Sequence, residues 1–260
     1  MDDDVVRARW EREQVLLGLA RDTPDDDFAV GGLAALAVPP TVRIVVLPCD
    51  PCAIAVPPQD PMTVIPQPIA VPCGQELPHY EMVRGTSTGY VAVPYSGEDG
   101  LWSSFAAVSW YGGVDFFLGD QGGRDRARDF PPGSRQRVVY LRKAAGWAWA
   151  AFDLQREIIE RFTVGGPFRA IVAIAHATGA TLSMFGAGQT DPGSTGFWDQ
   201  PTAVEQHVLL LEDLADWPDA VGVEALALRL GARLDLAFGG SGERHLDRSG
   251  PDAGKFRPRW

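Results

Sequence analysis

The sequence predicts an α+β fold: a small β-rich N-terminal region followed by an antiparallel sheet packed with helices. Three observations carry this. Between residues 42 and 95, short β-branched runs (RIVVLP, AIAVP, PIAVP, HYEMV, YVAVP) are fenced by proline, which is strand punctuation. The second half reads helix, strand, strand, strand, helix, without the alternation of a doubly wound fold. Its two helical stretches each carry one apolar stripe.

The elements follow in order. Residues 4–21 predict a helix with Val6, Trp10, Leu17 and Ala20 on one stripe, and Asp2, Asp3 and Asp4 favour its positive end. Residues 27–37 predict a second short helix, stopped at Pro39-Pro40. The β-rich stretch follows, with a proline-rich surface linker (PPQDPMTVIPQP) inside it. After SGEDG (96–100), Leu101, Trp102, Phe105 and Val108 stand at helical spacing, so residues 101–113 predict a helix. VDFFLG reads as a strand or buried turn, and residues 121–134 as a loop. QRVVYLR (136–142) reads equally as a strand or a helix start. From Ala144 to Phe162 the spacing predicts a helix with Trp149, Phe152, Ile159 and Phe162 on one side, ended by Gly165-Gly166-Pro167. FRAIVAIAHA and ATLSMFGA predict two strands joined by a tight hairpin at Thr178-Gly179. Residues 204–214 predict another strand. Residues 221–238 predict a helix with Val223, Leu226, Leu230 and Leu234 inward, capped by Gly239-Gly240. The resulting organisation is residues 1–98, two helices plus the β-rich region; 99–240, the α+β unit; and 241–260, a mobile tail. Whether the first two share one sheet is open at this point.

The chain has 260 residues, 45% hydrophobic and 22% charged, enough to bury a core without staples. Its net charge of −11 makes most of the surface repel nucleic acid and anionic membranes, so any polyanion site must be a local basic patch. No apolar run reaches the roughly 18–20 residues of a membrane helix. The opening MDDDVVRARWERE is acidic where a signal peptide is basic, which points to the cytoplasm. Three cysteines do not make a disulfide framework.

One such basic patch exists. Arg124, Arg126, Arg128, Arg135, Arg137, Arg142 and Lys143 share a window with only Asp125 and Asp129, leaving 7 − 2 = +5 there against −16 elsewhere. With Trp147 and Trp149 close by, the window has the composition of a nucleic-acid or anion site. Pairing of these arginines with the chain's own surplus carboxylates is the competing and preferred reading.

Two further patterns suggest chemistry. GTSTG (85–89) has the form G-x-S-x-G, in which Ser87 would be a hydrolase nucleophile. That requires a helix after the serine. YVAVPYSG predicts a strand instead, and the partners a triad would need, Asp153 and His207, fall on a helix face and within a strand. A hairpin turn or bulge is the preferred reading. Cys49, Cys52, Cys73 and His79 give C-x2-C-x20-C-x5-H, the layout of a structural zinc site. Pro51 disfavours the usual metal knuckle, and buried or half-buried thiols are preferred. His176, His207 and His245 form no ligand pair with metal spacing. The aromatics Trp102, Trp110, Tyr111, Phe116 and Phe117 suit either a protein-binding surface or the core, and the core is preferred.

Within PIAVPCGQELPHYEMVRGTST (68–88), Val71-Pro72, Pro78-His79 and Arg84-Gly85-Thr86-Ser87-Thr88 resemble the end of the Schlafen AlbA-type putative DNA-binding domain. The resemblance covers some twenty residues, and the family's earlier acidic-lysine-serine and glycine-rich segments are not found. It implies nucleic-acid association or regulation and adds Arg84 to the candidate anion-binding residues. The expectation is a non-catalytic cytoplasmic binding or regulatory protein, nucleic-acid-associated or partnered by protein, without cofactor. The alternative is a hydrolase, either zinc-assisted through Cys49, Cys52, Cys73 and His79 or serine-based through Ser87.

Overall fold

The computed structural model describes residues 40–49, 64–66, 69–71, 75–76, 82–85, 89–93, 104–118, 138–175, 177, 180–183, 204, 208–243, 246 and 255. They form an α+β fold. In chain order the strands are β1 (Thr41–Pro48), β2 (Ala70–Val71), β3 (Gln75–Glu76), β4 (Met82–Gly85), β5 (Gly89–Val93), β6 (Ser104–Ser109), β7 (Val114–Leu118) and β8 (Val138–Tyr140). Helix α1 (Leu141–Phe162) follows, then β9 (Phe168–Ala175), β10 (Thr181–Ser183), β11 (Val208–Leu214) and helix α2 (Ala220–Ala237). Seven strands make one sheet in the order β11-β9-β1-β7-β6-β5-β4, and every neighbouring pair is antiparallel. Because β5 pairs with β6 (Gly89↔Ser109, Ala92↔Ala106), the sheet runs unbroken through the boundary at residue 98. The predicted helices at 4–21 and 27–37 lie outside the described residues.

The register explains why the strands differ in composition. β1 sits in the middle and pairs with β7 and β9. All eight of its residues are buried, so it reads as a continuous apolar run and not as an alternation. Val42, Ile44 and Val46 point into the main core under the helices, while Val45 and Leu47 join Tyr111, Ile171 and Ala173 in a second cluster on the other face. β11 is the edge strand and alternates instead: Val208 and Leu210 are buried, Leu209 and Leu211 exposed. Its open side is met from α2, where Arg233 Nη1 donates to the Leu211 carbonyl at 3.0 Å. An arginine on an edge carbonyl blocks pairing with another strand there.

Helix α1 lies against β1 and β7, and α2 lies beside α1 and against β11. The core is aromatic at its joints. Trp147 meets Phe116 edge to face at 5.9 Å, and Trp217 meets both Phe152 and Phe168 while donating its indole N–H to the Phe152 carbonyl. α2 starts at Asp219, whose carboxylate accepts the Gly222 N–H at 2.9 Å. That satisfies one of the amides a helix start leaves without a partner. Val223, Leu226, Leu230 and Leu234 are all within 1% of full burial, as their spacing predicts.

Two expectations are corrected. Residues 104–109 of the predicted helix at 101–113 are strand β6, followed by a tight turn closed by Ser109 N–H to the Gly113 carbonyl. Phe105 and Val108, which helical spacing puts on one face, lie in clusters on opposite faces of the sheet. The β9–β10 hairpin does not form. β9 is a central strand with both edges occupied by β1 and β11, and β10 pairs in parallel with β8 in a separate two-stranded sheet. Beyond α2, the Gly242 N–H donates to the Asp235 carboxylate, and Leu246 packs against the main core.

Candidate functional site

The two glycines of GTSTG belong to paired strands. β4 and β5 run antiparallel with Gly85 opposite Tyr90 and Arg84 opposite Val91. A strand follows the serine position where a nucleophile elbow needs a helix. Ser87 itself lies outside the described residues. The two glycines have different duties. Gly85 is exposed, and among the described residues a Cβ there would meet only Tyr90 Cε1, at 4.0 Å. A Cβ on Gly89 would collide with the Val108 carbonyl oxygen and stand 2.8 Å from Ser109 Cα. Gly89 is therefore required by the close approach of β5 to β6. Asp153, the acid a serine triad would recruit, is buried on α1 and accepts from Arg156 Nε at 2.9 Å. His207, with His176 and His245, lies outside the described residues.

Of the zinc candidates, Cys49 stands at the end of β1 with its backbone N–H on the Pro167 carbonyl at 2.7 Å. Its side chain is exposed, neither buried nor half-buried as expected. Cys52, Cys73 and His79 lie outside the described residues. Among the described residues, no group of three or more His, Cys, Asp or Glu is placed to hold a metal ion. The aromatic candidates divide as the core reading predicts: Tyr111, Phe116 and Phe117 are buried, and Phe105 and Phe117 stack at 5.3 Å. Trp110 is half-buried, edge-on to Tyr90, and Trp102 lies outside the described residues.

The arginines of the scaffold define the electrostatics. Arg43, on the sheet face away from the helices, is 7% exposed and grips Asp115 with two bonds, Nε to Oδ1 at 3.0 Å and Nη2 to Oδ2 at 2.6 Å. Burial lowers the Arg43 pKa, but the Asp115 charge and hydrogen bond outweigh it, and the net shift is upward. Arg169 holds Asp213 in the same two-pronged way. Arg229 and Arg233 share Glu212, and Arg156 bridges Asp153 and Glu160. Hydrogen bonds to their carboxylates raise the pKa of both Arg156 and Arg169. Forked pairs of this kind fix geometry as well as neutralising charge.

The predicted basic window is placed only at its end. Arg124, Arg126, Arg128, Arg135 and Arg137 lie outside the described residues, between β7 and β8. Arg142 and Lys143 occupy the first turn of α1. Lys143 is half-buried, and Arg142 is 3% exposed with Nη2 donating to the Leu246 carbonyl at 2.9 Å. Arg142 thus ties the chain beyond α2 to the start of α1. Sequence spacing groups it with the surface cations and contains no sign of this long-range bond. Arg84 sits on edge strand β4 in the cross-strand row that runs through Val91 and Ala107 to Asp115. No protein-family model, curated protein or solved structure matches the chain. Among the described residues, no helix is long and apolar enough to cross a membrane.

Proposed function

We propose that the chain is a non-catalytic binding and regulatory protein of the cytoplasm that associates with nucleic acid through the basic run between β7 and β8. The observation that carries this reading is the contrast between two sets of arginines. On the scaffold, Arg43, Arg156, Arg169, Arg229 and Arg233 are each matched to a carboxylate, and Asp115, Asp153, Glu160, Asp213 and Glu212 are committed to them. Residues 124–137 carry five arginines against two aspartates. In the sequence the run lies between β7, a central strand, and β8, which leads into the buried helix α1; segments between such elements commonly carry binding residues. In a chain of net charge −11, this is where attraction to phosphate concentrates.

The resemblance of residues 68–88 to the Schlafen AlbA-type domain favours the same reading and associates Arg84 with it. Gel shifts with single- and double-stranded DNA at two salt concentrations test it. Retardation at low salt that fades at high salt is expected. Absence of retardation at low salt removes nucleic acid as the ligand.

A further inference from the structure

Helix α2 is apolar on two sides. Val223, Leu226, Leu230 and Leu234 fill the side toward the core. On the other side Val221, Ala225, Leu228 and Ala232 follow one another at steps of four, three and four residues, with Leu236 beside the end of the row. A surface helix ordinarily turns its polar residues outward. Here Val221 is 77% and Leu236 56% exposed, and Ala225, Leu228 and Ala232 are half-buried. The next step, Asp235, is buried with its carboxylate on the Gly242 N–H, which ends the row. Alternating steps of four and three form the seam along which one helix packs on another.

Charges of opposite sign border this seam. Arg229, on one flank, is exposed and shares Glu212 with Arg233. Glu224, on the other flank, is half-buried. We propose that the seam is a self-association surface that takes the same seam of a second copy of this chain, with the two α2 helices parallel about a two-fold axis. Like positions then meet, Val221 on Val221 and Leu228 on Leu228, and the alanines leave room for close approach. Glu224 of each copy stands opposite Arg229 of the other, five residues further along, the register in which flanking residues of parallel helices pair. Symmetry forms this pair twice. Glu212 keeps Arg233 when Arg229 turns to the second copy. Antiparallel helices would instead bring the two copies of Arg229 together, so the charges select the parallel form. One short seam is a small interface, so the dimer dissociates on dilution.

Sedimentation equilibrium of the full chain over a wide concentration range tests this. A reversible monomer–dimer equilibrium is expected. Val221→Glu puts two carboxylates face to face in the dimer. In the monomer it adds an acid to the first helical turn, where the helix dipole favours it. It should abolish the dimer and leave the near-ultraviolet circular dichroism unchanged. Glu224→Arg and Arg229→Glu should each weaken association, and an equimolar mixture of these two variants should form a heterodimer. A dimer that survives both Val221→Glu and Glu224→Arg lies on another surface and overturns the proposal. A wild type that is monomeric at every concentration also overturns it. In that case slow alkylation of a Val221→Cys variant would assign the seam to another segment of this chain.

Discussion

At the scale of single residues, Gly89 is fixed by backbone crowding and Gly85 is not, although both belong to the same five-letter motif. Gly89→Ala forces a methyl group against the Val108 carbonyl and should destabilise the protein by about 1–3 kcal/mol. Gly85→Ala should stay within about 0.5 kcal/mol, and urea denaturation distinguishes the two. Ser87→Ala should leave stability and binding unchanged, because strand β5 follows the serine where a nucleophile elbow needs a helix. Glu157 gives a pH prediction. Its carboxyl is pushed above the ordinary range, by desolvation first and by the neighbouring Asp153 second. A raised folded pKa means that its favourable contribution is fully present below the unfolded pKa and is lost as pH rises through the folded one. Glu157→Gln should therefore stabilise the protein at neutral pH and reduce the decline in Tm as pH rises through the upper carboxylate range. Thermal melts across pH check both signs.

At the scale of elements, α2 is the most legible part of the chain and β6 the least. In α2 the 3.6-residue spacing of Val223, Leu226, Leu230 and Leu234 coincides with burial, and Asp219 supplies the cap. Asp219→Ala should cost about 1 kcal/mol. Leu226→Ala should cost about 2–5 kcal/mol, whereas Val221→Ala, at a position 77% exposed, should cost under about 0.5 kcal/mol. These differences are measurable by denaturant unfolding. β6 misleads because Phe105 and Val108 satisfy helical spacing while serving opposite faces of a sheet buried on both sides. An apolar run with no polar face carries no clear period. The β9–β10 pairing fails for a different reason: a local turn signal does not reveal which strand edges are already occupied, and both edges of β9 are. The β4–β5 pair that flanks GTSTG is legible because proline and alternation mark a strand on each side of it.

At the scale of the whole molecule, a single antiparallel sheet runs from β4 to β11, and its scaffold arginines are neutralised in place. Composition alone reveals the acidic total and the basic window but not which cations are internal. Arg142 is the clearest example: in sequence it extends the basic window, while in the fold it binds a carbonyl 104 residues away. The pairing of Arg43 with Asp115 is equally invisible to spacing, since 72 residues separate the two. The central claim is that residues 124–137 meet nucleic acid through their arginines. Its most direct test is the salt dependence of DNA-duplex binding, measured by fluorescence anisotropy, for the wild type and the Arg135→Ala/Arg137→Ala double variant. The account predicts a linear fall of log K with log salt in the wild type, with a slope smaller by about 1.8 in the double variant, because two fewer phosphates are neutralised. Equal slopes and equal affinities for the two proteins would contradict it.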